Sequence, residues 1–88
     1  MERGANGKYA CPCCNYYTLE EPPNTQPTFE ICDVCFWQED WVMQDSPDVG
    51  GGANIVSLNQ ARINFKAFGA AEDRGIPHVR PPKPDELR

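Results

Sequence analysis

Two Cys-x-x-Cys pairs constrain the fold of this chain more than any other feature of its sequence. One pair runs from Cys11 to Cys14 and the other from Cys32 to Cys35, with 17 residues between them. A separation of about 15–20 residues is typical of two pairs that close around one metal ion. Four thiolates complete the tetrahedral shell of Zn²⁺ and leave no open position, as in structural zinc sites. We therefore predict one bound ion, zinc or alternatively iron, with four ligands: Cys11, Cys14, Cys32 and Cys35.

The length of the chain explains why a metal would be needed. A single domain of 88 residues buries a modest fraction of its surface, and such domains often depend on a metal or on disulfides for stability. Structural zinc contributes roughly 10–16 kcal/mol at neutral pH, as much as the ~5–15 kcal/mol stability of a whole domain. We predict that residues 1–88 form one domain that folds poorly without its ion.

The five cysteines are also compatible with disulfides, which are found in exported proteins. Residues 1–7 contain no apolar core of an export signal, and no segment approaches the ~18 apolar residues of a membrane span. A reducing cytoplasm favours thiolate–metal bonds over disulfides. We therefore expect a cytoplasmic protein without a membrane-spanning segment.

Residues 8–43 are predicted to form a zinc ribbon, in which short antiparallel β-hairpins carry the two cysteine knuckles. The aromatic and β-branched segments Tyr9–Ala10 and Tyr16–Leu19 would flank the first knuckle. Thr28–Ile31 alternates polar and apolar residues and would be the strand that leads to the second knuckle. The intervening segment 20–27 contains three prolines and is predicted to be an open loop.

Three further segments follow the ribbon. Residues 44–56 form a predicted glycine-rich loop, and residues 57–69 a helix that begins at the N-cap Ser57 and ends at Gly69. The apolar face of this helix would consist of Leu58, Ala61, Phe65 and Phe68. Residues 70–88 are predicted to form an extended, proline-rich tail. The sequence thus predicts a small α+β fold: a zinc ribbon with one C-terminal amphipathic helix and an extended tail.

Acidic residues dominate the first two thirds of the chain. No Lys or Arg lies between Lys8 and Arg62, whereas this interval contains eight acidic residues: Glu20, Glu21, Glu30, Asp33, Glu39, Asp40, Asp45 and Asp48. An acidic surface serves solubility. It is also complementary to a basic protein partner, and both interpretations stay open.

Two tryptophans follow the second knuckle. Trp37 and Trp41 are four residues apart, so one helical turn would place both indoles on one face. These rings either cover the metal-binding hairpins as part of the core or form an aromatic patch for a partner. The candidate partner-binding residues are Trp37, Glu39, Asp40 and Trp41.

The fifth cysteine raises the possibility of redox chemistry. Residues 11–14 read Cys-Pro-Cys-Cys and share the Cys-Pro-x-Cys pattern of glutaredoxin-like motifs. The chain lacks the βαβ pattern of such proteins, and a second Cys-x-x-Cys has no role in that scheme. Zinc catalysis needs an open coordination position, which four cysteines do not leave. We therefore expect a noncatalytic protein in which Cys13 points away from the metal.

Several motifs together resemble the cysteine-rich CPCC family of small bacterial proteins. They are the segments 11–14, Ile31–Trp37, Gly51–Asn54, Ser57–Arg62 and Val79–Pro82. Asn15 departs from the glycine that is usual after the first knuckle of that family. The resemblance implies a zinc-ribbon or rubredoxin-like fold without a settled activity. Relatives near bacterial toxin genes imply an immunity role.

These observations favour a noncatalytic, zinc-stabilised protein-binding module, with toxin neutralisation as a specific form. A first alternative is a nucleic-acid-binding ribbon, which would need basic residues interleaved with aromatic ones. Here the aromatic half is the acidic half, and the available basic residues are Arg62, Lys66, Arg80 and Lys83. A second alternative is a rubredoxin-like electron carrier, if the metal is iron. The oligomeric state stays open.

Overall fold

The computed structural model describes residues 3–23 and 28–88. In these ranges the chain forms two strands, two α-helices and two 3₁₀ helices. They are β1 (Tyr9–Ala10), β2 (Tyr17–Leu19), α1 (Trp41–Asp45), α2 (Leu58–Phe68) and 3₁₀ helices at Asp73–His78 and Pro84–Glu86. The small α+β class is confirmed. In the described part of the chain, no helix combines the length and apolar character needed to cross a membrane.

The first cysteine knuckle lies at the tip of an antiparallel hairpin. β1 and β2 pair through Tyr9 with Leu19 and Ala10 with Tyr17. The turn closes with a hydrogen bond of 2.8 Å from Asn15 N to the carbonyl of Cys11. Asn15 has φ 68°, the left-handed region that Asn tolerates better than most residues. The predicted first hairpin is therefore confirmed.

The second knuckle has the same turn but almost no hairpin. Phe36 N donates to the carbonyl of Cys32 over 2.8 Å, which matches the turn of the first knuckle, and Phe36 also has a left-handed φ of 69°. The flanking segments form one isolated bridge, between Ile31 and Gln38, and no regular strand pair, although Glu39 N also donates to the carbonyl of Glu30 over 2.7 Å. The predicted strand Thr28–Ile31 is wrong, because Phe29 has φ 55° and interrupts the extended backbone.

Helix α2 begins and ends at the residues that its sequence predicts. The hydroxyl of Ser57 accepts a hydrogen bond of 3.1 Å from Gln60 N, and Gly69 caps the C-terminus with φ 82°. The Gln60 side chain bonds to Asn64 instead of returning to the cap, so only half of a capping box forms. Phe68 is 42% exposed, so the end of the predicted apolar face leaves the core.

The core is built around the cysteines. Leu19, Val34, Trp37 and Leu58 form one buried cluster with all five thiols. In so small a domain this cluster is the only core of the described residues, and no second set of buried side chains replaces it if the cysteines separate. The fold therefore depends on whatever holds the four paired cysteines together.

The C-terminal tail, predicted to be extended, is extended only in part. Two 3₁₀ helices occupy part of it, and the second packs against β2. The segment between them stays extended. Glu86 is buried and receives hydrogen bonds of 2.7 and 2.8 Å from Arg80. The loop predicted over residues 44–56 begins within α1, and part of the loop predicted over 20–27 lies outside the described residues.

Candidate metal centre

Four sulfur atoms converge between the two knuckles. The Sγ atoms of Cys11, Cys14, Cys32 and Cys35 all lie within 4.8 Å of one another. Across the knuckles, Cys11 Sγ lies 3.6 Å from Cys35 Sγ, and Cys14 Sγ lies 3.7 Å from Cys32 Sγ. A tetrahedron with metal–sulfur bonds of about 2.3 Å has edges of about 3.8 Å. The predicted convergence is confirmed, and the donor set fits one tetrahedral metal ion.

The four sulfurs are buried, and as thiolates they repel one another unless a cation is bound. Burial raises the pKa of the Cys11 thiol. Hydrogen bonding with Cys11 and the other thiols raises the pKa of Cys35, whereas hydrogen bonds from Cys11 and its neighbours lower that of Cys32. These opposite directions arise because adjacent buried thiolates repel one another. A divalent cation allows all four sulfurs to ionise together.

Two groups outside the cluster hydrogen-bond to its sulfurs. The buried hydroxyl of Thr18 lies 3.0 Å from Cys32 Sγ and donates to it when Cys32 is a thiolate. The backbone N–H of Trp37 donates to Cys35 Sγ over 3.5 Å. Such partners orient metal ligands and stabilise their charge. Thr18 was not predicted from the sequence, because nothing there distinguishes it from any other threonine of a return strand.

Cys13 does not belong to the group of four. It is buried, with only 5% of its surface exposed, and it is a neighbour of Cys35, whose pKa its thiol also helps to raise. Residues 12–14 form a turn and not the start of a helix. A helix N-terminus is the usual source of thiolate activation in Cys-Pro-x-Cys redox motifs, and it is missing at this position.

Two of the four candidate partner-binding residues lie inside the protein. Trp37 is fully buried and donates its indole N–H to Gln44 over 3.0 Å. Glu39 is also buried and accepts hydrogen bonds from the N–H and hydroxyl of Thr28. Trp37 precedes α1, so it does not share a helical face with Trp41. The prediction that Trp37 and Glu39 face a partner is wrong.

The other two candidates, Asp40 and Trp41, lie at the N-terminus of α1. Asp40 caps this helix, and its carboxylate accepts hydrogen bonds from Val42 N, Met43 N and Ala53 N at 3.1–3.3 Å. Trp41 is 42% exposed. Asp40 therefore has a structural role, and Trp41 is the one predicted aromatic side chain that a partner can reach.

Several residues of the acidic interval stabilise loops. The Glu30 carboxylate accepts hydrogen bonds from the backbone of Glu20 and Glu21 at 2.7 and 3.2 Å. Asp48 accepts a hydrogen bond of 2.7 Å from the Asn59 side chain. These contacts account for part of the acidic composition without any partner. Polar N–H groups outside regular strand pairs need other acceptors, and these carboxylates supply them.

The same residues identify the family. A family model described as cysteine-rich CPCC matches residues 9–86. The chain belongs to the cysteine-rich CPCC family. The match includes both knuckles, α2 and the tail through Glu86. All four cysteines of the candidate metal site of this CPCC protein lie within the matched residues. No curated protein matches the sequence.

Proposed function

We propose that this CPCC protein is a noncatalytic, zinc-stabilised module of the cytoplasm that binds another protein. The observation that carries the proposal is the closed set of four buried cysteines at tetrahedral spacing. Four protein sulfurs occupy every position of a tetrahedral ion and leave none for a substrate or a water molecule. An ion held in this way stabilises a fold and takes no part in hydrolysis.

Cobalt substitution and elemental analysis test the metal part of this proposal. Purified protein should contain one zinc per chain and be colourless, and chelator should unfold it. The Co²⁺ form should have the absorption of a tetrahedral tetrathiolate, and added cyanide or imidazole should leave that spectrum unchanged. A spectrum that shifts with these ligands would show an open position and refute a closed structural site. Red protein with bound iron would favour the electron carrier instead.

The partner surface that we propose surrounds α1. Val42 and Val49 are 59% and 60% exposed, and both line a shallow cavity of about 280 Å³. The far wall of this cavity is the backbone of residues 50–52. A Cβ on Gly52 would lie 2.7 Å from an Asp40 carboxylate oxygen, so glycine lets this wall pack closely against α1. The result is an exposed apolar depression, which we call the α1 face.

Its surroundings favour a basic partner. Exposed Asp45 and Asp48 lie beside the α1 face, and no ion pair neutralises them among residues 3–23 and 28–88. An apolar depression within uncompensated negative charge attracts a positively charged segment that carries an apolar anchor. A basic bacterial toxin encoded next to this protein is the specific partner that the immunity form of the proposal requires.

Methyl NMR of the zinc-loaded protein tests the α1 face with a defined probe, an octapeptide of alternating Arg and Leu. The peptide should shift the Val42 and Val49 methyl signals, and raising the salt from about 50 to about 300 mM should weaken binding. Val42→Ser should abolish the effect. Ile63→Ser is the matched control, because Ile63 on α2 is 61% exposed. Equal losses in both variants, or shifts spread over the whole surface, would refute this surface.

The basic residues give nucleic-acid binding little support. Arg62 donates to the carbonyl of Pro12 over 3.0 Å, and Arg80 is paired with Glu86. Two of the four basic residues that such a function would use are therefore engaged within the protein.

A further inference from the structure

The two knuckles are supported in different ways. A paired hairpin, β1 and β2, holds the first knuckle. The second knuckle has one bridge, between Ile31 and Gln38, and backbone hydrogen bonds from Cys32 N to Trp37 O and from Glu39 N to Glu30 O. One bridge fixes little backbone, since even a two-stranded hairpin alone is only marginally stable. The second knuckle thus lacks a regular strand pair, and contacts from another part of the chain add to its support.

The C-terminal segment 70–88 supplies that support, residue by residue. Ala71 N donates to the carbonyl of the ligand Cys35 over 2.8 Å. The His78 ring stacks on Phe36, with ring centroids 4.9 Å apart. A Cβ on Gly75 would lie 3.0 Å from Phe36 Cβ, so the backbone passes directly over this ring.

Contacts continue on the other side of Cys35. Arg80 reaches to 4.0 Å from the Asp33 carboxylate, and Val34 lines an apolar cavity together with Val79 and Pro82. Every residue from 33 to 36 is thus touched by, or shares a cavity wall with, the C-terminal segment. We call residues 70–88 the strap, because they cross the outside of the second knuckle.

Discrete contacts fasten the strap. The cavity of about 300 Å³ between the strap and α2 means that packing there is incomplete. The far end is fixed where Glu86 binds both guanidinium nitrogens of Arg80 and accepts a hydrogen bond of 2.7 Å from Lys83 N. The helical turn that contains Glu86 packs against β2. Breaking the contacts of Glu86 would free the far end of the strap, residues 79–88. The near end stays anchored, because Ala70 and Ala71 are buried and Glu72 accepts hydrogen bonds from Ile55 N and Val56 N.

We propose that the strap gates metal exchange at the second knuckle. While it is fastened, Cys32 and Cys35 are inaccessible and the ion is retained. When its far end lifts, the second knuckle loses these outer contacts, and an external thiol or chelator can reach its two sulfurs while the first knuckle stays folded. Metal release would then be a local event with its own rate. A molecule that displaces the strap would increase the rate of metal release.

Zinc transfer to a coloured chelator, compared with global unfolding followed by the circular dichroism of α2, tests this proposal on the full chain. Glu86→Gln removes the charge pair with little change in shape, and zinc release should become about 10- to 100-fold faster while still preceding the loss of helical circular dichroism. Glu20→Gln, which removes the exposed Lys8–Glu20 pair, is the control and should leave release unchanged.

A milder pair of variants tests the stack on the second knuckle. His78→Ala removes the ring above Phe36 and should accelerate release by about two- to tenfold, the effect of one aromatic contact. His78→Phe keeps the stack and should release zinc like the wild type. Release that follows global unfolding in every variant, or that does not respond to Glu86→Gln and His78→Ala, would overturn the strap.

Discussion

The hydrogen bond from Thr18 to Cys32 predicts a measurable effect on metal affinity. Thr18→Val replaces the hydroxyl with a methyl group of similar size, so the buried site gains no cavity. It also removes the only side-chain oxygen described within hydrogen-bonding distance of a cluster sulfur, at 3.0 Å. The Cys32 thiolate then loses one donor, while the metal and its four ligands are unchanged.

The size of the effect follows from the charge of the acceptor. A hydrogen bond to a charged group contributes about 1.5–3 kcal/mol, and a tenfold change in affinity corresponds to about 1.4 kcal/mol. The extra apolar burial of valine offsets a small part of this loss, because the fold forms together with the metal site. Thr18→Val should therefore weaken zinc binding about 10- to 100-fold, a range typical of lost partners of metal ligands.

Competition with a chelator of known affinity measures this change. Thr28→Val is the matched control, because its hydroxyl donates to Glu39 over 3.2 Å and not to a sulfur. Thr28→Val should weaken zinc binding less than Thr18→Val does, and only through its lower folding free energy, because folding and metal binding are coupled. The reasoning would be refuted if Thr18→Val binds zinc within about threefold of the wild type, or if Thr28→Val loses as much affinity.

Two further predictions concern other parts of the molecule. Cys13→Ala should keep one zinc per chain by elemental analysis, whereas Cys14→Ala should lose it, because only Cys14 belongs to the cluster; equal zinc contents would contradict this assignment. The Arg80 guanidinium lowers the pKa of Glu86 from 4.5 to about 2. A carboxyl with a depressed folded-state pKa stabilises the protein above its unfolded pKa, and this is lost as the pH falls. By denaturant unfolding, the wild type should exceed Glu86→Gln by on the order of 2–3 kcal/mol at neutral pH, and the gap should close between pH 4.5 and about 2. A gap that is independent of pH would contradict the ion pair as its source.

Features that depend on a few neighbouring residues could be predicted from the sequence. The convergence of the four cysteines follows from the short spacing within each pair and a spacer long enough to turn back. The ends of α2 follow from Ser57 and Gly69, because each acts on a backbone group within one helical turn. The first hairpin likewise needs only the residues on either side of its turn.

Features that depend on distant contacts could not be predicted. Thr28–Ile31 has a strand-like pattern, but Phe29 takes a left-handed φ and leaves only one bridge. Trp37 is buried because the core forms around the cysteines, which the spacing to Trp41 does not reveal. The Arg80–Glu86 ion pair likewise could not be predicted from the sequence, because it depends on how the tail folds back.

The left-handed backbone at Phe36 limits how this knuckle can be reused. Glycine at that position would relieve a conformational cost of about 1–2 kcal/mol, but it would delete the ring on which His78 rests. The backbone conformation at position 36 thus favours glycine, whereas the contact with the C-terminal segment requires an aromatic side chain. If the second Cys-x-x-Cys turn alone were transplanted into another scaffold, the product would have two ligands and a strained turn. It would lack the distant residues whose contacts offset that strain.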